Sequence, residues 1–193
     1  MRFLVRLENK QYSPADKRRL TMVAYNVVKG LGADIGNLRV SKSAVELDLL
    51  LESEANLEGA MVLLEKNIGP VVTLRKLDVE GQEIGEREVV RLGLELFNGE
   101  RYWESHEALE VAWRKASGPE KEILQGIILL AAALVHLQKD EPGIALSVMR
   151  RAQEKLERHA GNYDGVNLDT IKSQVSAMLA ASQPRFFKID LGA

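Results

Sequence analysis

Ala44-Val45-Glu46-Leu47-Asp48-Leu49-Leu50-Leu51 decides the fold of the first part of the chain. Val45, Leu47, Leu49 and Leu51 recur at every second position, the period of a strand with one buried face, while Glu46 and Asp48 point the other way. Ser41-Lys42-Ser43 turns this strand back onto another at Leu38–Ser41. Further upstream, Leu20, Val23, Val27 and Leu31 recur at helical spacing behind a helix start at Ser13-Pro14-Ala15-Asp16. There Ser13 can cap, Pro14 suits the first helical position, and Asp16 favours the positive end of the dipole. Arg2 to Leu7 alternates, with Phe3, Val5 and Leu7 on one side. Downstream, Ser53 caps a helix carrying Leu57, Met61 and Leu64, and Val71 to Leu77 is a last strand. The order βαββαβ predicts a ferredoxin-like sheet with two helices on one face. Its open face would carry Arg2, Arg6, Glu46, Asp48 and Arg75, with opposite charges across neighbouring first and third strands.

The whole chain has 193 residues, 46% hydrophobic and 28% charged, with a formal charge of −2. It contains no cysteine, which excludes disulfides, thiolate–zinc sites and thiol catalysis. The near-neutral charge supplies no basic surface for nucleic acid. The expected open sheet face also lacks the aromatic platforms that RNA-binding sheets use, since Phe3 alternates into the helix-covered side. The longest apolar run, Ile127 to Val135, is less than half the roughly 20 residues of a helical membrane span, and no signal peptide is visible. A soluble, cytoplasmic protein without a membrane partner is the expectation.

Residues 80–85 are polar and glycine-bearing and read as a linker between an α+β domain at 1–79 and a second domain at 86–193. Strand signals vanish after Glu86. Helices are predicted at 86–97, 101–116, 119–138, 142–159 and 168–181, punctuated by Asn98-Gly99, Gly118-Pro119, Asp140-Glu141-Pro142-Gly143 and Gly161–Asn167. Short loops favour antiparallel neighbours, hence an all-α helical bundle.

One predicted helix stands apart: Tyr102-Trp103-Glu104-Ser105-His106-Glu107-Ala108-Leu109-Glu110-Val111-Ala112-Trp113-Arg114 holds both tryptophans of the chain. At 100° per residue, Trp113, His106, Glu110, Trp103 and Glu107 fall within an arc of roughly 120°. Carboxylates held between indoles lose water, which favours binding of a proton or a metal. His106 and Glu110 meet over one turn and can share an ion. Glu107 follows the histidine as the general base does in the His-Glu-x-x-His helix of zinc proteases. A catalytic site needs a further ligand. His136 on the next helix is the candidate, with Gln125 anchoring Glu110 or a backbone group, and Trp103, Trp113 and Tyr102 lining the pocket. His136 near a helix end also complements the dipole, and the tryptophans also serve as core.

At these residues the chain resembles the "domain of unknown function 309" family of bacteria and archaea. Leu96-Phe97-Asn98, Tyr102-Trp103-Glu104, His106-Glu107, Leu109-Glu110, Trp113-Arg114, Leu124-Gln125-Gly126, Ala131-Ala132-Ala133, His136-Leu137 and Tyr163-x-Gly165-Val166 carry the resemblance over roughly residues 86–181. It implies an all-helical bundle and a family loosely labelled as predicted metal-dependent hydrolases. Gly99 falls one place early against the family pattern, and Asp140-Glu141 replaces a Gly-Asn turn. The N-terminal domain lies outside the resemblance.

Two functional expectations follow. The first is a metal-dependent hydrolase with His106, Glu110 and His136 on zinc, manganese or iron and Glu107 activating water. The second is a non-catalytic binding or assembly module whose His/Glu/Trp face is a polar network. In that case exposed sheet edges and the Phe186-Phe187 tail lead to a homo-oligomer. Neither names a substrate.

Overall fold

The computed structural model describes residues 1–77 and 85–191, and the chain divides into two compact units, one N-terminal and one C-terminal. The linker expected at 80–85 lies, apart from Gly85, outside the described residues.

In the first unit β1 (Arg2–Glu8), β2 (Ala33–Val40), β3 (Ala44–Leu51) and β4 (Val71–Lys76) form one antiparallel sheet in the order β2-β3-β1-β4. With α1 (Lys17–Val28) after β1 and α2 (Leu57–Asn67) after β3, this is the ferredoxin-like arrangement that the strand–helix order predicts. Cross-strand register puts Phe3 against Leu49, Val5 against Leu47 and Leu7 against Val45. These pairs form one core with Leu20, Ala24 and Val28 of α1 and with Ala60 and Leu64 of α2. β2 begins at Ala33, five residues before the expected start, because its pairing with β3 runs on past a bulge between Gly36 and Arg39. At the start of α1 the Ser13 amide and hydroxyl both donate to Asp16 Oδ2. These bonds and Arg19 hold the Asp16 carboxyl below its ordinary value, with the Ser13 amide the largest contributor.

The other sheet face differs from expectation. Arg6, Arg39, Glu46 and Asp48 are all buried, so the centre of the charged face is closed to solvent, while Arg75 is exposed and Arg2 half-buried. Alternation tells which side chains turn away from the helices, but not whether that side meets water. The charges are tolerated there because they alternate in sign. Arg6 pairs with Glu46, Arg2 with Asp48, and Arg39 lies 3.5 Å from both carboxylates.

The second unit contains α3 (Glu86–Asn98), α4 (Tyr102–Lys115), α5 (Gly118–Gln138), α6 (Pro142–Leu156) and α7 (Leu168–Ala180). Each falls within three residues of its predicted bounds. Their apolar faces share one core, including Leu94, Phe97, Leu109, Leu124, Leu134, Met149, Leu156 and Ile171. Two glycines let helices approach. A Cβ on Gly93 would lie 2.6 Å from Leu109, and one on Gly126 would lie 2.6 Å from Leu156. Strand signals do not vanish entirely: Asn162–Tyr163 (β5) and Val166–Asn167 (β6) pair as a small hairpin. Its turn residues, Asp164 and Gly165, have φ of 49° and 85°, the two left-handed positions of a type I′ turn. No helix among the described residues is long and apolar enough to cross a membrane.

Candidate functional site

The motif helix α4 divides its residues between two jobs. On its inner side Tyr102, Glu104, Ser105, Leu109 and Ala112 are buried. Ser105 Oγ donates to the Gly93 carbonyl at 2.8 Å, tying α4 to α3 where the missing Cβ of Gly93 admits Leu109. Glu104 is buried because Arg101 neutralises it with two 2.6 Å hydrogen bonds, one to each carboxylate oxygen. This pair closes the first turn of α4 beside the α3–α4 corner.

The same corner holds the C-terminal segment. The Asn98 side-chain amide donates to the Ile189 carbonyl, and its oxygen accepts from the Ile189 amide, both at 2.8 Å. Phe97 meets Phe187 edge-on at 5.4 Å, and Tyr102 stacks on Phe186 at 6.0 Å with planes 9° apart. The Tyr102 hydroxyl is buried with no hydrogen-bond partner among the described residues. Burial, and then the Glu100 charge, push its pKa well above the usual tyrosine value.

The outer side carries the residues assigned to chemistry. His106 Nε2 stands 3.9 Å from Glu110 Oε1, so the structure brings this pair together, too far for a hydrogen bond but on one face. Glu110 also reaches Arg114 at 3.4 Å and keeps 37% of its side chain exposed. The indoles therefore do not strip it of water as the spacing suggested. Glu107 is exposed, and Trp103 and Trp113 are half-buried against the core. Lys121 at the start of α5 lies 4.5 Å from the Trp113 ring centre, as expected where a short loop joins antiparallel helices.

His136 takes a different neighbour from the one expected. Its Nδ1 lies 2.6 Å from Glu141 Oε2 across the turn after α5. A neutral ring donating Nδ1–H to that carboxylate keeps the Nε2 lone pair available as an acceptor or ligand. Gln125 is half-buried on α5. Among the described residues no three His, Asp or Glu side chains gather into one metal-sized group. The His106–Glu110 pair supplies two corners of a site at most, and His136–Glu141 and His159–Glu122 are closer pairs of the same kind.

Residues 90–148 match the model of a family described as a domain of unknown function (DUF309). The resemblance to this family is confined to that region of the chain. The DUF309 match runs from α3 into α6, and the N-terminal region matches no family model. A solved structure described as a conserved hypothetical protein from Thermus thermophilus is 36% identical over 47% of this chain and 94% of its own, with a TM-score of 0.41. None of the curated proteins matches. Within the DUF309 region the roles of Asn98, Glu104 and Ser105 escaped the sequence reading. Their signals were present as a polar residue at the end of one helix and two more outside the His/Glu/Trp arc of the next. The hairpin beyond the match was signalled by Asp164-Gly165 between Tyr163 and Val166.

Proposed function

We propose that the DUF309 region is a non-catalytic assembly module that pairs with a second copy through the outer face of α4. The single observation behind this reading is the division of labour on that helix. Tyr102, Glu104 and Ser105 are spent on internal architecture, while Glu107, Val111 and Arg114 are exposed in one row flanked by Trp103 and Glu110. Two such helices crossing antiparallel about an axis between Glu110 and Val111 set each Glu107 against the partner copy's Arg114. The apolar area of Val111 lies at the centre. Arg114 is 70% exposed and, among the described residues, held only by Glu110, a contact that solvent leaves weak and replaceable. Light scattering across a concentration series is expected to give twice the 21.5 kDa chain mass. Arg114→Glu should lower that mass to the monomer's, and adding Glu107→Arg should restore the dimer. A monomer at every concentration would overturn the reading.

A second reading rests on the 3.9 Å His106–Glu110 pair. Here the two side chains hold a divalent ion such as zinc, manganese or iron, with His136 as a third ligand through Nε2 and Glu107 as base for a hydrolytic step. The ion would supply Lewis acidity and a more acidic water. Trp103 and Trp113 would then wall the site, with Gln125 as a supporting polar group, while Tyr102 is turned into the core and away from it. Protein purified without chelators should carry near-stoichiometric metal, lost in His106→Ala/Glu110→Ala and kept in Glu107→Gln. Equal metal in all three, or none in any after reconstitution, would sink it.

A further inference from the structure

Away from the outer face of α4, the second unit contains a cavity of about 400 Å³, within the size range of small-molecule sites. Val90, Ala112 and Ala116 supply its apolar lining. Its polar walls come from four places in the fold: Arg87 in the first turn of α3, Lys115 at the end of α4, Ser117 and Glu120 at the start of α5, and the hairpin residues Tyr163 and Asp164.

The lining carries charges of both signs. Arg87 and Lys115 are positive, Glu120 and Asp164 negative. The Arg87 guanidinium and the Asp164 carboxylate make no ion pair or side-chain hydrogen bond among the described residues, and both are exposed to solvent at the cavity. Ser117 stands just before the 21-residue α5, whose first turn carries a positive partial charge. Glu120 is held in place by the Tyr163 hydroxyl, which donates to it at 2.9 Å. Asp164 is held by the turn itself, in a left-handed conformation at φ 49° that most residues disfavour. An ion of one sign entering here would meet as many like charges as opposite ones. A molecule carrying both signs would meet a complementary partner for each, with its alkyl part over Val90 and Ala112.

We infer that this cavity binds a small zwitterion of the amino-acid class, its carboxylate facing Arg87 and Ser117 and its ammonium facing Asp164 and Glu120. The site is separate from the α4 face, so its test is independent of whether the chain dimerises. Calorimetric titration of the full chain with glycine, 4-aminobutyrate and 6-aminohexanoate samples three charge separations. Acetate, inorganic phosphate and methylammonium are the single-charge controls. At least one zwitterion should bind tenfold or more tightly than every control. Arg87→Gln and Asp164→Asn should each weaken that binding at least tenfold. Asparagine accepts the left-handed turn position, so thermal unfolding of the Asp164→Asn protein should match the parent and separate lost binding from lost folding. Phosphate or acetate binding as tightly as the zwitterions would overturn the inference. So would no binding by any of the three, or binding that both variants leave unchanged.

Discussion

Asn98 shows how much one side chain can carry. Its amide makes both the donor and the acceptor contact that a neighbouring strand would make to Ile189, two residues before Leu191 bridges Val166 of β6. Asn98→Ala leaves the Ile189 backbone groups unpaired, and Ile189 is only 2% exposed. The expected cost is about 1–3 kcal/mol in chemical denaturation. Limited proteolysis should in addition cut first around Phe186-Phe187. Tyr102 is the opposite case. Its hydroxyl is buried with no partner among the described residues, so Tyr102→Phe should leave stability unchanged or raise it by up to about 1 kcal/mol. The sign of the pH effect follows from the raised pKa. The contribution is fully present below the unfolded tyrosine value of about 10 and is lost as pH rises from there toward the folded value. Alkaline unfolding of Tyr102→Phe should accordingly begin at higher pH than that of the parent.

At the scale of elements, the α3–α4 pair depends on an absence. Gly93 provides the space that Leu109 fills, and Leu109 is fully buried. Gly93→Ala gains helix propensity but places a methyl 2.6 Å from the leucine. Overpacking should win, with a net loss of roughly 1–3 kcal/mol read as a lower midpoint at unchanged denaturant slope. Helix boundaries on both sides of this pair were legible from caps and turn residues, because those signals act locally. The packing role of Ser105 was not. A serine on an apolar stripe looks like an imperfection until the Gly93 carbonyl it satisfies is placed beside it.

Across the N-terminal unit, the buried charges of the sheet behave as one lattice. Arg39 is 1% exposed and lies between Glu46 and Asp48, themselves 2% and 1% exposed. Arg39→Met keeps an unbranched apolar stem but removes the cation that Glu46 and Asp48 share, leaving each with its partner on β1. A loss of about 3–5 kcal/mol in equilibrium unfolding is expected. The alternation in β3 had already placed these acids opposite the arginine-bearing face of β1. It could not tell a solvated charged face from a buried one, since both obey the same period of two.

Periodicity, caps and turn chemistry in the chain itself determined the elements, the ferredoxin-like strand order and the helical character of the second half, because each depends on neighbours within a few positions. Helical spacing likewise placed His106 and Glu110 on one face. What those side chains touch was decided by tertiary structure. Asn98 found a segment 91 residues away, Ser105 found the Gly93 carbonyl on the neighbouring helix, and the carboxylate of the local Arg101–Glu104 pair was closed off from water. Such partners depend on which surfaces the folded chain brings together and which it closes to water, and a one-dimensional pattern carries neither.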